Sequence, residues 1–171
     1  DGHRVEPLQD GDAAFPAMLG CIDAARTSVT LATYIFDNDH AGRAFQDALV
    51  RARGRGVEVR VLIDDVGARY TRPTMIRVLR AAGVPVAAFL PTRIPRLFRY
   101  ANLRNHRKIL VVDGRVGFTG GINVRAGHWL SRRPARPVRC LHFRVDGPVV
   151  ADMQRAFAID STDCDVLWKL A

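Results

Sequence analysis

Apolar and polar positions alternate along this chain between two periods. Val5–Leu8 is short and half apolar, as a first strand would be. From Asp12 to Arg26 the spacing becomes helical, with Phe15, Met18, Leu19 and Ile22 on one face and Asp12 as the expected N-cap. Pro16 falls in the first turn of that helix, where proline is tolerated. Ser28–Phe36 is rich in β-branched and aromatic residues and predicts a strand. A second helix should start at a cap on Asp39 and end near Arg53, where Gly54 and Gly56 stop it. Val57–Ile63 has the continuous apolar run of a buried strand. Pro73–Ala82 predicts a helix, stopped by Gly83, and Val84–Leu90 the next strand. This βαβαβ order implies an α/β fold, an α/β/α sandwich around a mixed, mostly parallel sheet.

The rhythm breaks at Pro91–Asn105, where Arg93, Arg96, Arg99 and Arg104 are interleaved with Ile94, Leu97, Phe98 and Tyr100. A loop this long usually carries function. Arginines beside apolar residues suit an anionic lipid surface, and equally a single-stranded nucleic acid. Two short strands follow, Ile109–Val112 and Arg115–Thr119, joined at Asp113–Gly114, a strong hairpin signal. Arg125–Pro137 is a second basic loop, Val138–Val145 a strand and Pro148–Phe157 a last helix.

Charge narrows the class of partner. The 171 residues carry a formal net charge of +9, and among the basic residues only Lys108 and Lys169 are lysines. Such an excess predicts an anionic partner, whether nucleic acid, phospholipid head groups or a phosphorylated substrate. The length fits one domain spanning residues 1–171. No stretch reaches the roughly 18 uninterrupted apolar residues of a membrane span. The first residue is Asp rather than Met, as expected of a processed chain or an excised domain. Three cysteines, Cys21, Cys140 and Cys164, have neither the even count of a disulfide framework nor metal-ligand spacing.

The chemistry concentrates in residues 105–123, NHRKILVVDGRVGFTGGIN. His106 and Lys108 are two apart, so on a strand they project to one face. An imidazole beside an ammonium suits a phosphate: the lysine neutralises oxygen charge while the imidazole attacks phosphorus or moves a proton. Gly120 and Gly121 permit close backbone approach to a ligand, and Asn123 can donate to a phosphate oxygen. The hairpin should fold Asn123 back towards His106. Asp113 has the opposite parity and opens the turn, which marks it as structural. Elsewhere His128 and Trp129 suit surface or packing positions, and His142 a satisfied core position. His3 and His40 lack partners at metal-ligand spacing. Asp37 and Asp39 have the spacing to hold a cation, although helix capping accounts for Asp39.

The joint pattern H-x-K-x4-D-x6-G-G-x-N resembles the signature of the phospholipase D superfamily. The stretches TYIFDND, GVEVRVLIDDVGARY, AAGVPVAAFLP and HFRVDGPVVADMQRAF extend the likeness to the amino-terminal half of bacterial cardiolipin synthases. The resemblance implies phosphatidyl transfer through a phosphohistidine, with no metal or cofactor. By position it makes His106 a catalytic histidine, most often the nucleophile. Lys108 and Asn123, with Gly120 and Gly121, would bind the phosphoryl group, and Asp113 would have a supporting role. It also implies a phosphatidylglycerol-like substrate, an anionic membrane surface, and an inner-membrane location on a side the sequence does not fix. In this superfamily two motifs meet at one site, whereas this chain has a single H-x-K. The second half must come in cis or from a homodimer. An acid expected in the strand before the last helix is replaced by Cys140, for which Asp146 and Asp65 are candidate substitutes. The residue after Asp160 is Ser161 rather than the family's aromatic. Phospholipase D-type hydrolysis, nucleic-acid phosphodiester cleavage by a homodimer (nucleic acid being the weaker candidate partner) and a non-catalytic lipid-binding half stay open as alternatives.

Overall fold

The structure, a computed structural model, describes residues 2–90 and 104–162. In chain order they form β1 (Arg4–Gln9), α1 (Asp10–Ala24), β2 (Ser28–Thr33), α2 (His40–Gly54), β3 (Glu58–Asp64), α3 (Met75–Ala81), β4 (Val86–Phe89), β5 (Ile109–Val112), β6 (Val116–Gly120), β7 (Leu141–Asp146) and α4 (Val149–Thr162). The arginine-rich loop expected at Pro91–Asn105 lies outside the described residues up to position 103, as does Cys164.

The seven strands make one sheet in the order β1-β7-β6-β5-β2-β3-β4. Its β2-β3-β4 side is parallel, as right-handed βαβ units require. The other side, β1-β7-β6-β5, is antiparallel and joins β2 antiparallel too. The sandwich and the mixed sheet are as the sequence predicts, but the parallel share is smaller: four of the six pairings are antiparallel. The cause is the hairpin. Tight turns join only antiparallel neighbours, and β5–β6 occupies the sheet centre.

Side chains leave the sheet in both directions. On one face Val29, Leu31, Val61 and Ile63 pack with Phe15, Met18 and Ile22 of α1, Phe45 and Leu49 of α2, and Leu79 of α3. On the other, Ala32, Leu62, Ala87, Ile109 and Val111 pack under Val150 and Phe157 of α4. Alternate residues of a strand thus serve two cores, which is why β2, β3 and β5 read as nearly continuous apolar runs.

Local differences have identifiable causes. Gln9, not Asp12, is the N-cap of α1, and it makes no side-chain cap bond. The Asp12 carboxylate instead accepts from the Ser131 amide and hydroxyl, and so anchors the second basic loop. Asp39 caps α2 as expected, accepting from the Gly42 amide. β2 ends at Thr33, and Phe36 makes only an isolated bridge with Val124. β7 begins at Leu141 rather than Val138, where pairing with β1 and β6 starts.

Candidate active site

His106 and Lys108 lie on the segment that enters β5, at the end of the sheet where β2 and β3 finish. The His106 ring is exposed and stacks on Tyr34, with centroids 4.2 Å apart and planes inclined by 26°. The Lys108 ammonium donates to the His106 carbonyl at 2.6 Å and stands 5.9 Å from the centre of the same tyrosine ring. Among the described residues it pairs with no carboxylate, and burial lowers its pKa from the ordinary lysine value. A partly desolvated cation is stabilised by any anion that comes beside it.

Asn123 follows β6 and turns back to the same place, as the hairpin predicts. Its Oδ1 accepts from the Ile35 amide at 3.1 Å. The carbonyl end of the side chain is thereby engaged, which leaves the amide hydrogens available to a phosphoryl oxygen. The two glycines have a narrower role than expected. A Cβ on Gly120 would come within 2.7 Å of the His142 backbone, and one on Gly121 within 2.3 Å of the Cys140 thiol. The Gly121 amide already donates to the Leu141 carbonyl. These glycines let β6 lie tight against β7; Gly121 offers no free amide to a phosphate.

Asp113 does not join the cluster. It sits at the far end of β5, where its carboxylate accepts from the amides of Arg26, Thr27 and Ser28 and from the Thr27 hydroxyl. Partial burial would raise its pKa, but the bonds from Ser28, Thr27 and Arg26 prevail and hold it down to about 2. Asp113 and Gly114 both have positive φ, the type I′ hairpin geometry. Its side-chain hydrogen bonds among the described residues all go to the Arg26–Ser28 turn.

The segment bearing His106 is clamped from both sides by contacts that sequence spacing does not reveal. Asp64, buried at the end of β3, accepts from the Asn105 amide. Asp160 of α4 accepts from the Asn105 side chain at 2.7 Å and from the Arg107 guanidinium at 2.6 Å, gripping the residues either side of His106. An open cleft of about 690 Å³ adjoins, lined among the described residues by Phe89, Leu90, Arg104, Asn105, His106, Arg107 and Asp160. Replacing Asp160 with alanine should release both neighbours of His106. The expected cost is about tenfold in kcat with little change in KM, checked by steady-state kinetics.

Other candidates fall into place around this core. His142 is buried as expected but, among the described residues, neither ring nitrogen has a hydrogen-bond partner. Burial first, then the nearby His128 and Lys108, lowers its pKa to about 4. His128 is buried, and burial lowers its pKa too. Trp129 packs edge-on against Phe15 with centroids 5.3 Å apart. Asp37 pairs with Arg125 at 3.1 Å, and Asp39 also accepts from the Ala126 amide. Cys140 is a free thiol beside Lys108 and Gly121. Asp146 lies opposite Val116, at the other end of the sheet, and cannot stand in for the acid that Cys140 replaces. Asp65 pairs with Arg69.

Known proteins resemble this chain in sequence and in fold. The profile of the family described as "Cardiolipin synthase, PLD-like domain" matches residues 18–134. Cardiolipin synthase A of Pseudomonas fluorescens is 40% identical over 159 residues, covering 92% of this chain and 33% of the relative. A cardiolipin synthase of Oceanobacillus iheyensis is 37% identical over 165 residues, covering 91% and 32%. The chain therefore spans about a third of the length of the curated relatives it matches. Among solved structures, the phospholipase D family member Nuc from Salmonella typhimurium superposes with a TM-score of 0.69 at 19% identity, covering 93% of this chain and 94% of that one. NucT from Helicobacter pylori gives 0.68 at 15% identity, covering 94% of each.

Proposed function

The chain belongs to the phospholipase D-like domain family of cardiolipin synthases, and from that membership we propose that it supplies one histidine of an active site for phosphatidyl transfer between phospholipids. The observation that carries the reading is the cluster, on one end of the sheet, of an exposed imidazole, an ammonium with no carboxylate partner among the described residues, and an oriented amide. A phosphodiester bound there meets charge on Lys108, a hydrogen-bond donor on Asn123 and a nucleophile on His106.

In the first step a ring nitrogen of His106 attacks phosphorus of a phosphatidylglycerol-like donor. The P–N bond forms and the P–O bond to glycerol breaks. A second histidine delivers the proton that the departing oxygen requires. In the second step a hydroxyl of another phospholipid gives its proton to that same histidine and attacks phosphorus. The P–N bond then breaks and His106 is restored; water in place of the alcohol gives hydrolysis. The residues call for no metal. The second histidine comes from a second motif, either elsewhere in a longer chain or in a second copy of this one.

The arginine-dominated charge suits the surface of an anionic membrane, at which both substrates are held. No helix among the described residues is long and apolar enough to cross a membrane. The same charge supports a second reading, phosphodiester cleavage in nucleic acid by a homodimer.

The test begins with light scattering behind a sizing column. The oligomer found is then incubated with phosphatidylglycerol vesicles and, separately, with single-stranded DNA. If the chain is a monomer, the same assays use the two-motif protein that contains it. Cardiolipin and free glycerol in equal amounts, with DNA intact, is the expected outcome. DNA cleavage without lipid turnover would replace the leading reading by the second. Turnover of neither would leave a lipid-binding half.

A further inference from the structure

The Tyr34–His106 stack has no part in the transfer steps above, yet it lays an aromatic ring directly against the reacting one. Tyr34 is held from both sides. Before it, Thr33 lies in register with Ile63 in the parallel pairing of β2 and β3. After it, Ile35 donates to Asn123 Oδ1, and its carbonyl accepts from the Val124 amide at 3.1 Å. Gly67 closes the slot. A Cβ at this position would fall 1.8 Å from the Tyr34 carbonyl oxygen and 3.3 Å from Cδ2 of its ring. Gly67 thus leaves room for the Tyr34 backbone and ring, while the imidazole stacks on that ring and Lys108 stands over it as well.

We propose that Tyr34 is a positioning residue for His106, a platform that sets the plane of the imidazole and supports the positive charge that this ring carries once it is bonded to phosphorus. The inference rests on the proposed transfer reaction. Two physical arguments support it. An exposed histidine has a broad χ2 well, and a stacked neighbour narrows it, which is what alignment of a nitrogen lone pair on phosphorus demands. When the nitrogen attacks, the other ring nitrogen still carries its proton, so the phosphorylated ring is cationic. A cation stacked on an aromatic face is stabilised by the ring quadrupole. Neither argument uses the phenol hydroxyl.

The role therefore belongs to the ring rather than the tyrosine, and substitutions separate the two. Tyr34→Phe should keep kcat within about twofold, whereas Tyr34→Leu should lower it by about 10- to 100-fold with KM changed by less than about threefold. Turnover is read in the assembly that transfers phosphatidyl groups. A second readout needs no turnover: NMR of this chain should show the His106 ring protons shifted upfield by the tyrosine ring current in the parent and in Tyr34→Phe, and not in Tyr34→Leu. Tyr34→Met, which keeps bulk without a ring, serves if the leucine variant does not fold. Full activity in the leucine or methionine variant would overturn the proposal. So would a loss in Tyr34→Phe equal to that in Tyr34→Leu, or ring protons unmoved across the series. If His106→Ala retained turnover, the transfer reading would fall by itself, and the ring-current comparison would still decide whether the stack exists.

Discussion

Replacing His106 with alanine is expected to abolish phosphatidyl transfer, lowering kcat by at least about 10⁴-fold. A covalent route has no substitute for its nucleophile, and neither neighbouring histidine is able to take over. His142 and His128 are 1% and 3% exposed, too deeply buried to meet a bound phosphodiester. Because the His106 side chain is exposed, its removal should leave the melting temperature within a degree or two of the parent. The measurement is a single-turnover reaction with phosphatidylglycerol labelled in phosphorus. The parent should accumulate an acid-labile protein adduct, and the variant should accumulate none. Retained turnover at more than about 1% of the parent rate would end the phosphohistidine mechanism for this residue.

Asp113→Ala should do the opposite, costing stability and sparing the chemistry. It removes the acceptor for three backbone amides and a hydroxyl at the Arg26–Ser28 turn. It also places alanine where φ is +53°. With solvent screening allowed for, the loss is about 2 kcal/mol, or roughly 4–8 °C in Tm for a chain of this size. The pH dependence has a definite sign. The folded carboxyl titrates near 2 and the unfolded one near the ordinary value of 3.8. Its contribution is therefore complete above about pH 4 and disappears as the pH falls towards 2. Thermal melts of the two proteins should be well separated at neutral pH and converge on acidification. Turnover per folded molecule should match, since Asp113 lies at the opposite end of β5 from His106.

These two substitutions mark how far the sequence is legible. The positions of Lys108 and Asn123 are legible because the Asp-Gly turn and a two-residue period are local signals: Lys108 bonds the His106 carbonyl, and Asn123 bonds Ile35, next to the tyrosine that stacks on His106. Asp113 was readable as a turn residue for the same reason. The grip of Asp64 and Asp160 on residue 105 was not: each is at least 41 positions away, and nothing in a one-dimensional pattern pairs them. Tyr34 stood inside a stretch noted for resemblance, but its stack on His106 is a tertiary contact. Helix α2 was predicted closely because its Asp39 cap and terminal glycines are strong local marks. Asp12 has the sequence position of a cap but not the role, because its partner, Ser131, lies across the molecule. The parallel share of the sheet was overestimated since strand order depends on where the hairpin inserts, which strand composition does not encode.

The pairing of β1 with β7 also sets the order in which the molecule can be assembled. Arg4 lies opposite Asp146 and Gln9 opposite Leu141, so the first of the seven described strands to leave the ribosome must wait for the seventh. The Asp10 amide and carboxylate then bond Cys140, the residue packed on Gly121 beside the lysine. Closing so long a loop is slow compared with forming the local β5–β6 hairpin. During synthesis, residues 105–123 therefore emerge and fold while the wall formed by β7 is still unmade. A nascent chain exposes the hairpin's β7-facing edge until that wall closes, and the His106 end of the sheet acquires its final shape only after the hairpin has formed.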